Sequence, residues 1–475
     1  MERDGLLVKI RRGEAMSLRE QLRLTAVLSW PAIVAQLSTI VMQYIDAAMV
    51  GSLGAESSAS IGLMATSTWL MWGLCSAVAS GFSVQVANRI GASDRRGAER
   101  VLRQSFIPVI VFSVLLAAFG AAVSGNLPLW LGGGDDIVGD ASSYFLIFSL
   151  SLPLLQISFL SGAMLRCSGN TLFPGIVNVG MCVLDVLFNF FLIFDGHEFT
   201  IGDASVRLPG AGLGVTGAAV GTALAETVAA AVMLWYLWRR NRELNMRNSE
   251  GSFMPGAACL RRAFKISFPL GVEHALMCGA QVFITAIVAP LGTVAIAANA
   301  FAVTAESLCY MPGYGISEAA TTLVGQSLGA GREKLARSFA KITVVSGIVV
   351  MTVMGIVMYV GAPVMMGIIS PVESICSLGT EVLRIEAFAE PMFAASIVAY
   401  GVFVGAGDTM VPAGMNLLSI WGVRITLAAV LAPTMGLAGV WVAMAVELCF
   451  RGAIFLLRLR TDRWLRANRA LFAAR

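Results

Sequence analysis

Two aspartates stand inside long apolar runs of this sequence, Asp46 within residues 42–50 and Asp185 within residues 181–188. A carboxylate surrounded by hydrocarbon is costly, by contested estimates from about 2.5 to over 10 kcal/mol, and is a functional candidate by default. Two such groups close together cannot both ionise cheaply, so a pair of this kind can take up a proton and return it. Counted from the basic ends of their segments, both fall in the outer half and can share one pocket. Gln43 lies on the same helix face as Asp46 by i, i+3 spacing. Asn189 flanks Asp185, and Thr222 offers a hydroxyl from the next segment. Glu273, Glu306, Glu318, Glu386 and Glu390 are further acids in apolar surroundings. Glu386 and Glu390, four apart on one helix face, are expected to form an acidic patch. Arg424 and Glu447, in neighbouring segments, are expected to pair.

Other chemistries lack their parts. His197 and His274 are the only histidines. The eight cysteines are scattered without paired spacing, which indicates neither a disulfide framework nor a metal site. No glycine-rich phosphate loop of the ATP-hydrolysing kind is present. The expectation is a protein that is no enzyme and holds no metal or cofactor.

These residues must be positioned by elements suited to lipid. Of the 475 residues, 57% are hydrophobic and only 13% charged, with a mean hydropathy of +0.79. Soluble domains carry about 45–50% apolar and about 25% charged residues. A bilayer span needs roughly 20 mainly apolar residues. Twelve such segments can be counted, near residues 24–50, 61–88, 104–124, 141–165, 172–194, 211–238, 264–289, 294–327, 339–362, 382–405, 411–432 and 436–457. They must be helices, because lipid cannot satisfy open backbone groups. The first reads as a span, too long for a cleaved secretory signal.

Of the 33 Lys and Arg, 28 fall in five places: residues 3–23, 89–103, 239–265, 332–341 and 458–475. With twelve spans, all five lie on one side. Asp135, Asp136, Asp140, Asp195, Glu198 and Asp203 collect on the other. By the positive-inside rule both termini are cytoplasmic. Juxtamembrane placement accounts for the basic clusters, so no nucleic-acid partner is implied.

The chain also repeats itself. Ser29-Trp30-Pro31 returns as Ser267-Phe268-Pro269, which sets the numbering offset at 238. At the same offset Leu53-Gly54 matches Leu291-Gly292, Gly91-Ala92 matches Gly329-Ala330, Pro153 matches Pro391, Gly169 matches Gly407 and Asn178 matches Asn416. Beyond Asp195 the offset falls to 222, with Gly214 and Gly217 matching Gly436 and Gly439. The first half thus carries about 16 extra residues in an outer loop near 195–209. Six spans per half is an even number, so the halves share one orientation. Parallel repeats of this kind place a substrate path between the halves. The expected division is a cytoplasmic segment 1–23, an N-lobe 24–238, a cytoplasmic linker 239–260, a C-lobe 261–457 and a basic cytoplasmic tail 458–475.

The stretch from Asp46 through Gly51 to Gly54, the loop Arg89-Ile90-Gly91-Ala92, its echo Val324 to Gly331, and the turns at Gly169–Thr171 and Gly407–Thr409 resemble the multidrug and toxic compound extrusion (MATE) family over about residues 20–457. The resemblance implies an all-α membrane protein of twelve helices in a V-shaped pair of six-helix lobes. It implies export of organic, often cationic, compounds in exchange for protons or sodium ions. Asp46 and Asp185 match acidic positions that the family uses for ion coupling, and Pro31 matches a proline where span 1 bends in some members. The family's Asn one turn before the span-5 Asp is here Met181, which counts against direct sodium coordination. One branch places an acid pair in the C-lobe, where this chain has Met277 and Phe393. Glu273, Glu386 and Glu390 are left as candidate substitutes. Trp69, Met71, Trp72 and Met311 offer an adaptable apolar lining for substrate.

The leading expectation is a proton-coupled antiporter of amphipathic cations, a monomer in a bacterial inner (plasma) membrane. A sodium-coupled exporter and a flippase of lipid-linked precursors are the alternatives. A flippase favours arginine-rich cavities, and only Arg166, Arg384, Arg424 and Arg451 lie in or near spans.

Overall fold

The structure is a computed structural model that describes residues 2–201, 204–241, 243, 244, 246 and 252–472. Asp203 and much of the expected linker, including residues 247–251, lie outside the described residues.

Long helices dominate because the apolar segments have no other way to bond their backbones in lipid. Spans 1 to 6 are Leu18–Gly51, Ala55–Gly91, Arg95–Val123, Asp135–Cys167, Leu172–Ile193 and Gly214–Arg239. Spans 7 to 9 are Ala257–Leu291, Thr293–Gly329 and Glu333–Ile369. Span 1 opens on a capping box, in which Ser17 and Glu20 bond each other's backbone N–H groups. Asp94 caps span 3 by accepting from the Gly97 N–H at 2.9 Å. The extra residues of the first half form an antiparallel hairpin, β1 (Asp195–Ile201) and β2 (Ala204–Ala211).

Two segments depart from simple rods. Span 10 is broken into Glu373–Ala387 and Glu390–Gly405, bent by 59°. Pro391 lies at the break, where a proline removes a donor and crowds the carbonyl four residues back. Glu386 and Glu390 therefore do not share one continuous helix face, contrary to the sequence expectation. The second departure is Met410–Arg460, a helical run of 51 residues. At 1.5 Å per residue that is far longer than one crossing. Gly436, at φ 61 and ψ −141, interrupts it. Gly439 packs on the Leu431 carbonyl, a contact that a straight helix would not allow between residues two turns apart. The chain turns back there, which makes spans 11 and 12 and brings the total among the described residues to twelve. A π-helical stretch, Leu418–Ile425, lies within span 11.

The repeat is visible in the backbone. Positive φ angles recur in pairs at the offset of 238: Gly54 and Gly292, Ser93 and Gly331, Gly169 and Gly407. Gly214 and Gly436 pair at the offset of 222. The lobes also meet symmetrically. Gly91 packs on the Gln326 carbonyl, and Gly329 packs on the Asn88 carbonyl. Gly329 is the repeat mate of Gly91, and Gln326 that of Asn88, as a twofold relation between spans 2 and 8 requires.

Among the described residues, most polar contacts between lobes lie at the basic end. Gln85 Nε2 donates to the Cys259 carbonyl at 3.2 Å, and Gln326 Nε2 to the Cys167 carbonyl at 2.7 Å. Arg166 pairs with Glu318 at 3.3 Å, and Ser338 Oγ donates to Gln21 Oε1 at 2.5 Å. Farther out, the Tyr44 hydroxyl donates to the Thr304 carbonyl. The lobes are thus sealed at the basic end.

Both chain ends add to this seal. The N-terminal helix (Glu2–Arg12) sets Leu7 over Gly169, and Arg332 of the C-lobe donates to its Lys9 carbonyl at 3.0 Å. The C-terminal helix (Arg463–Phe472) sets Leu471 over Gly407 and buries Trp464 in the C-lobe core. Leu471 and Phe472 also pack against a cluster that Ala77 and Val84 of the N-lobe form with Ile266, Leu270 and Val404 of the C-lobe. The linker docks as well: Leu244 and Met246 are buried in the N-lobe core.

Candidate ion-coupling site

Span 5 carries its buried residues Met181, Asp185, Asn189 and Ile193 four apart, on one stripe facing the lobe interior. Asp185 is 1% exposed and Asn189 fully buried, whereas Asp46, from span 1, is half-buried. The Asn189 Nδ2 donates to Asp46 Oδ1 at 2.9 Å and to Asp185 Oδ2 at 3.0 Å. One amide thereby ties two carboxyl groups from different spans. The two carboxyl groups also touch each other. Two ionised carboxylates this close repel each other, and a proton shared between them would relieve the repulsion. Thr222 faces Asp185 from span 6.

The stripe accounts for the departure at Met181. An amide absent one turn before Asp185 is present one turn after it, on the same face. Gly221 makes room for it, because a Cβ there would overlap the Asn189 side chain and backbone N.

Not every candidate joins the pocket. Gln43 is exposed, and the hydrogen bonds described at the carboxyl pair come from Asn189 instead. Pro31 is buried well below the pair, with its carbonyl against Gly175, inside a helix that continues through it. Two residues join that the sequence did not single out. Glu226 faces Ser158 and lies near Asp185, with its Oε2 buried and unpartnered. Tyr144 lies near both aspartates. Glu226 is the one acid in span 6 and stands four residues after Thr222, a signal that was available; Tyr144 had none.

In the C-lobe, Glu273 is 7% exposed and accepts from the Tyr400 hydroxyl and from Asn416 Nδ2. Glu386 and Glu390 are fully buried, and none of their four carboxyl oxygens has a partner. The expected pair of Arg424 and Glu447 does not form. Glu447 is held instead by Arg451, one turn away on its own helix, through two bonds of 2.8 Å. Of the expected lining, Trp69 is exposed, while Trp72 packs edge-on against Phe159. Among the described residues no group of His, Cys, Asp or Glu has a metal-holding arrangement.

Two six-span lobes, related by a parallel twofold and sealed against each other at one end, with carboxyl groups buried inside, define an integral membrane transporter rather than an enzyme. The MatE family profile matches the chain twice, over residues 31–191 and 269–430, and the chain belongs to this family of multidrug efflux transporters. The two matches begin at Pro31 and Pro269, the paired prolines of the repeat. A protein of Thermotoga maritima named probable multidrug resistance protein NorM is 24% identical over 88% of both chains. A protein of the same name from Neisseria meningitidis is 24% identical over 98% of this chain and 100% of its own. A crystal structure of MATE in the straight conformation superimposes with a TM-score of 0.86 at 18% identity, covering 98% of this chain and 99% of that one. An outward-facing multidrug resistance MATE transporter gives the same TM-score at 18% identity.

Proposed function

We propose that this protein exports small organic, cationic amphipathic compounds in exchange for protons, by alternating access. The observation that carries this reading is the direct contact of the Asp46 and Asp185 carboxyl groups beneath the Asn189 amide. Proton uptake and release change the charge of this pair in a low-dielectric pocket, where the change has most effect. Uptake from outside removes the counter-charge of a bound cation and lets span 1 repack on spans 5 and 6. The lobes then turn inward, release the proton and take up substrate. Sodium is the weaker reading, because hard cations collect several oxygen ligands, whereas the amide here turns its N–H to both carboxyls. The multidrug resistance names of the relatives support drug-like substrates. The basic end is assigned to the cytoplasm of a bacterial inner membrane, and the protein to a monomer.

The test uses purified protein in liposomes, given a pH gradient or a sodium gradient separately, with ethidium efflux followed by fluorescence. Efflux is expected with the pH gradient alone. Asp46→Asn and Asp185→Asn should each insert and fold yet lose pH-driven efflux. Undiminished efflux in both variants would reject the pair as the coupling site. Orientation is tested in a cysteine-free variant: a single cysteine at Gly196 should react with an impermeant thiol reagent from outside cells, and one at Ser252 should not.

A further inference from the structure

We propose that the groove between spans 9 and 10, at the end away from the basic residues, binds a phospholipid whose headgroup carries both a phosphate and a primary ammonium group. The site is separate from the aspartate pair and does not depend on which ion drives transport. The groove, about 740 Å³ in volume, lies between the far end of span 9 and the first half of span 10. Tyr359 and Pro363 line one wall, and Glu373, Glu381, Arg384 and Phe388 the other.

Pro363 explains how Arg384 is held there. A proline within a helix has no N–H for the carbonyl four residues back, and here that carbonyl belongs to Tyr359. Arg384 Nε donates to it at 3.3 Å, and the guanidinium lies over the Tyr359 ring, 5.4 Å from its centre. Nε is only one corner of the guanidinium fork. The side chain is exposed, and among the described residues no carboxylate pairs with it. Glu381, one turn earlier on the same exposed stripe, is likewise unpaired among the described residues. A positive and a negative group thus stand side by side in the groove, each free to bond an outside partner.

The depth is that of lipid headgroups. Lys341, exposed near the basic end of span 9, is the last basic residue before Arg384. A hydrocarbon core of about 30 Å takes roughly 20 residues of helix, which places its far edge near Gly361. Tyr359 and Arg384 therefore stand at that edge. On the hydrocarbon side of them, span 9 exposes Val349, Val353, Ile356, Val357 and Val360 as a continuous apolar face. Phe388, 75% exposed, packs edge-on against Tyr359 and flanks that face across the groove.

These features select the headgroup. A guanidinium fork matches phosphate oxygens. A headgroup with phosphate alone meets repulsion from Glu373 and Glu381. A simple organic cation meets repulsion from Arg384. A headgroup bearing both charges answers both signs, with its phosphate on Arg384, its ammonium on Glu381 and its chains along the valines of span 9. A primary ammonium donates hydrogen bonds to the carboxylate, which a quaternary one cannot. The bound lipid ties the first half of span 10 to span 9, next to the 59° bend.

The test counts lipids on the full chain in detergent by native mass spectrometry, with phosphatidylethanolamine, phosphatidylcholine and phosphatidylglycerol titrated separately. The wild type should hold one phosphatidylethanolamine more tightly than either other lipid. Arg384→Gln should weaken that binding at least about tenfold, and Arg384→Lys should weaken it less. Glu381→Gln should remove the preference for phosphatidylethanolamine over the other two. Equal retention of the three lipids by the wild type overturns the site, and so does unchanged phosphatidylethanolamine binding in Arg384→Gln. Displacement of the lipid by ethidium makes the groove a place for organic cations and overturns the lipid assignment. Each of these results leaves proton-coupled export standing, because the liposome efflux assays test that reading separately.

Discussion

Asn189 shows what a single amide can do between two acids. Its two N–H donors go to carboxyls on different spans, so the distance between spans 1 and 5 and the charge of the pair are tied together. Hydrogen bonds to charged groups are worth about 1.5–3 kcal/mol, enough for the amide to govern how readily the pair gives up its proton. Gly221 should matter almost as much, though it bears no side chain. In Gly221→Ala the added methyl meets Asn189, and pH-driven efflux should fall at least about tenfold with insertion unchanged. An unaltered efflux rate in that variant would show that Asn189 does not set the pair's geometry. The aspartates were legible in the sequence because a charge in an apolar run is conspicuous. The i, i+3 partner Gln43 stays exposed, since a helix has several faces and spacing alone does not say which one turns inward. Tyr144 was illegible because tyrosine sits equally well in packing or at an interface.

At the scale of elements, the sequence carried the spans, the repeat and the place of the inserted hairpin. It did not carry the break in span 10. Pro153 and Pro391 are repeat mates, yet the first lies in an unbroken helix and the second at a bend of 59°. Proline marks where a helix can yield, and packing decides whether it does. The turn between spans 11 and 12 was legible through Gly436 and Gly439, because both match glycines that begin span 6. Their importance is testable. Gly439→Ala pushes a methyl into the Leu431 carbonyl, and overpacking of this kind costs typically about 1–3 kcal/mol. Its thermal midpoint in detergent should fall by several degrees, while Gly361→Ala, with open space around it, should not change it. Equal midpoints would remove the close turn as a structural requirement.

At the scale of the whole molecule, two reciprocal glycine contacts hold spans 2 and 8 together at the sealed end. Gly91→Ala or Gly329→Ala places a methyl against the opposing backbone carbonyl. A penalty of about 1–3 kcal/mol on one state alters the balance of populations by roughly 5- to 150-fold. Either variant should shift the population toward the form open at the basic end, read as faster alkylation of a single cysteine replacing Gln85. Unchanged alkylation in both variants would place the seal elsewhere. The terminal helices bear on the same motion. They come from opposite ends of the chain and share no repeat, yet Leu7 and Leu471 cover glycines that are repeat mates, and each helix packs where residues of the two lobes meet. When the lobes part, the surface on which each helix rests divides. A donor dye on one chain end and an acceptor on the other would therefore serve as a built-in gauge of the transport cycle, far from the carboxyl pockets and without a label in the substrate path.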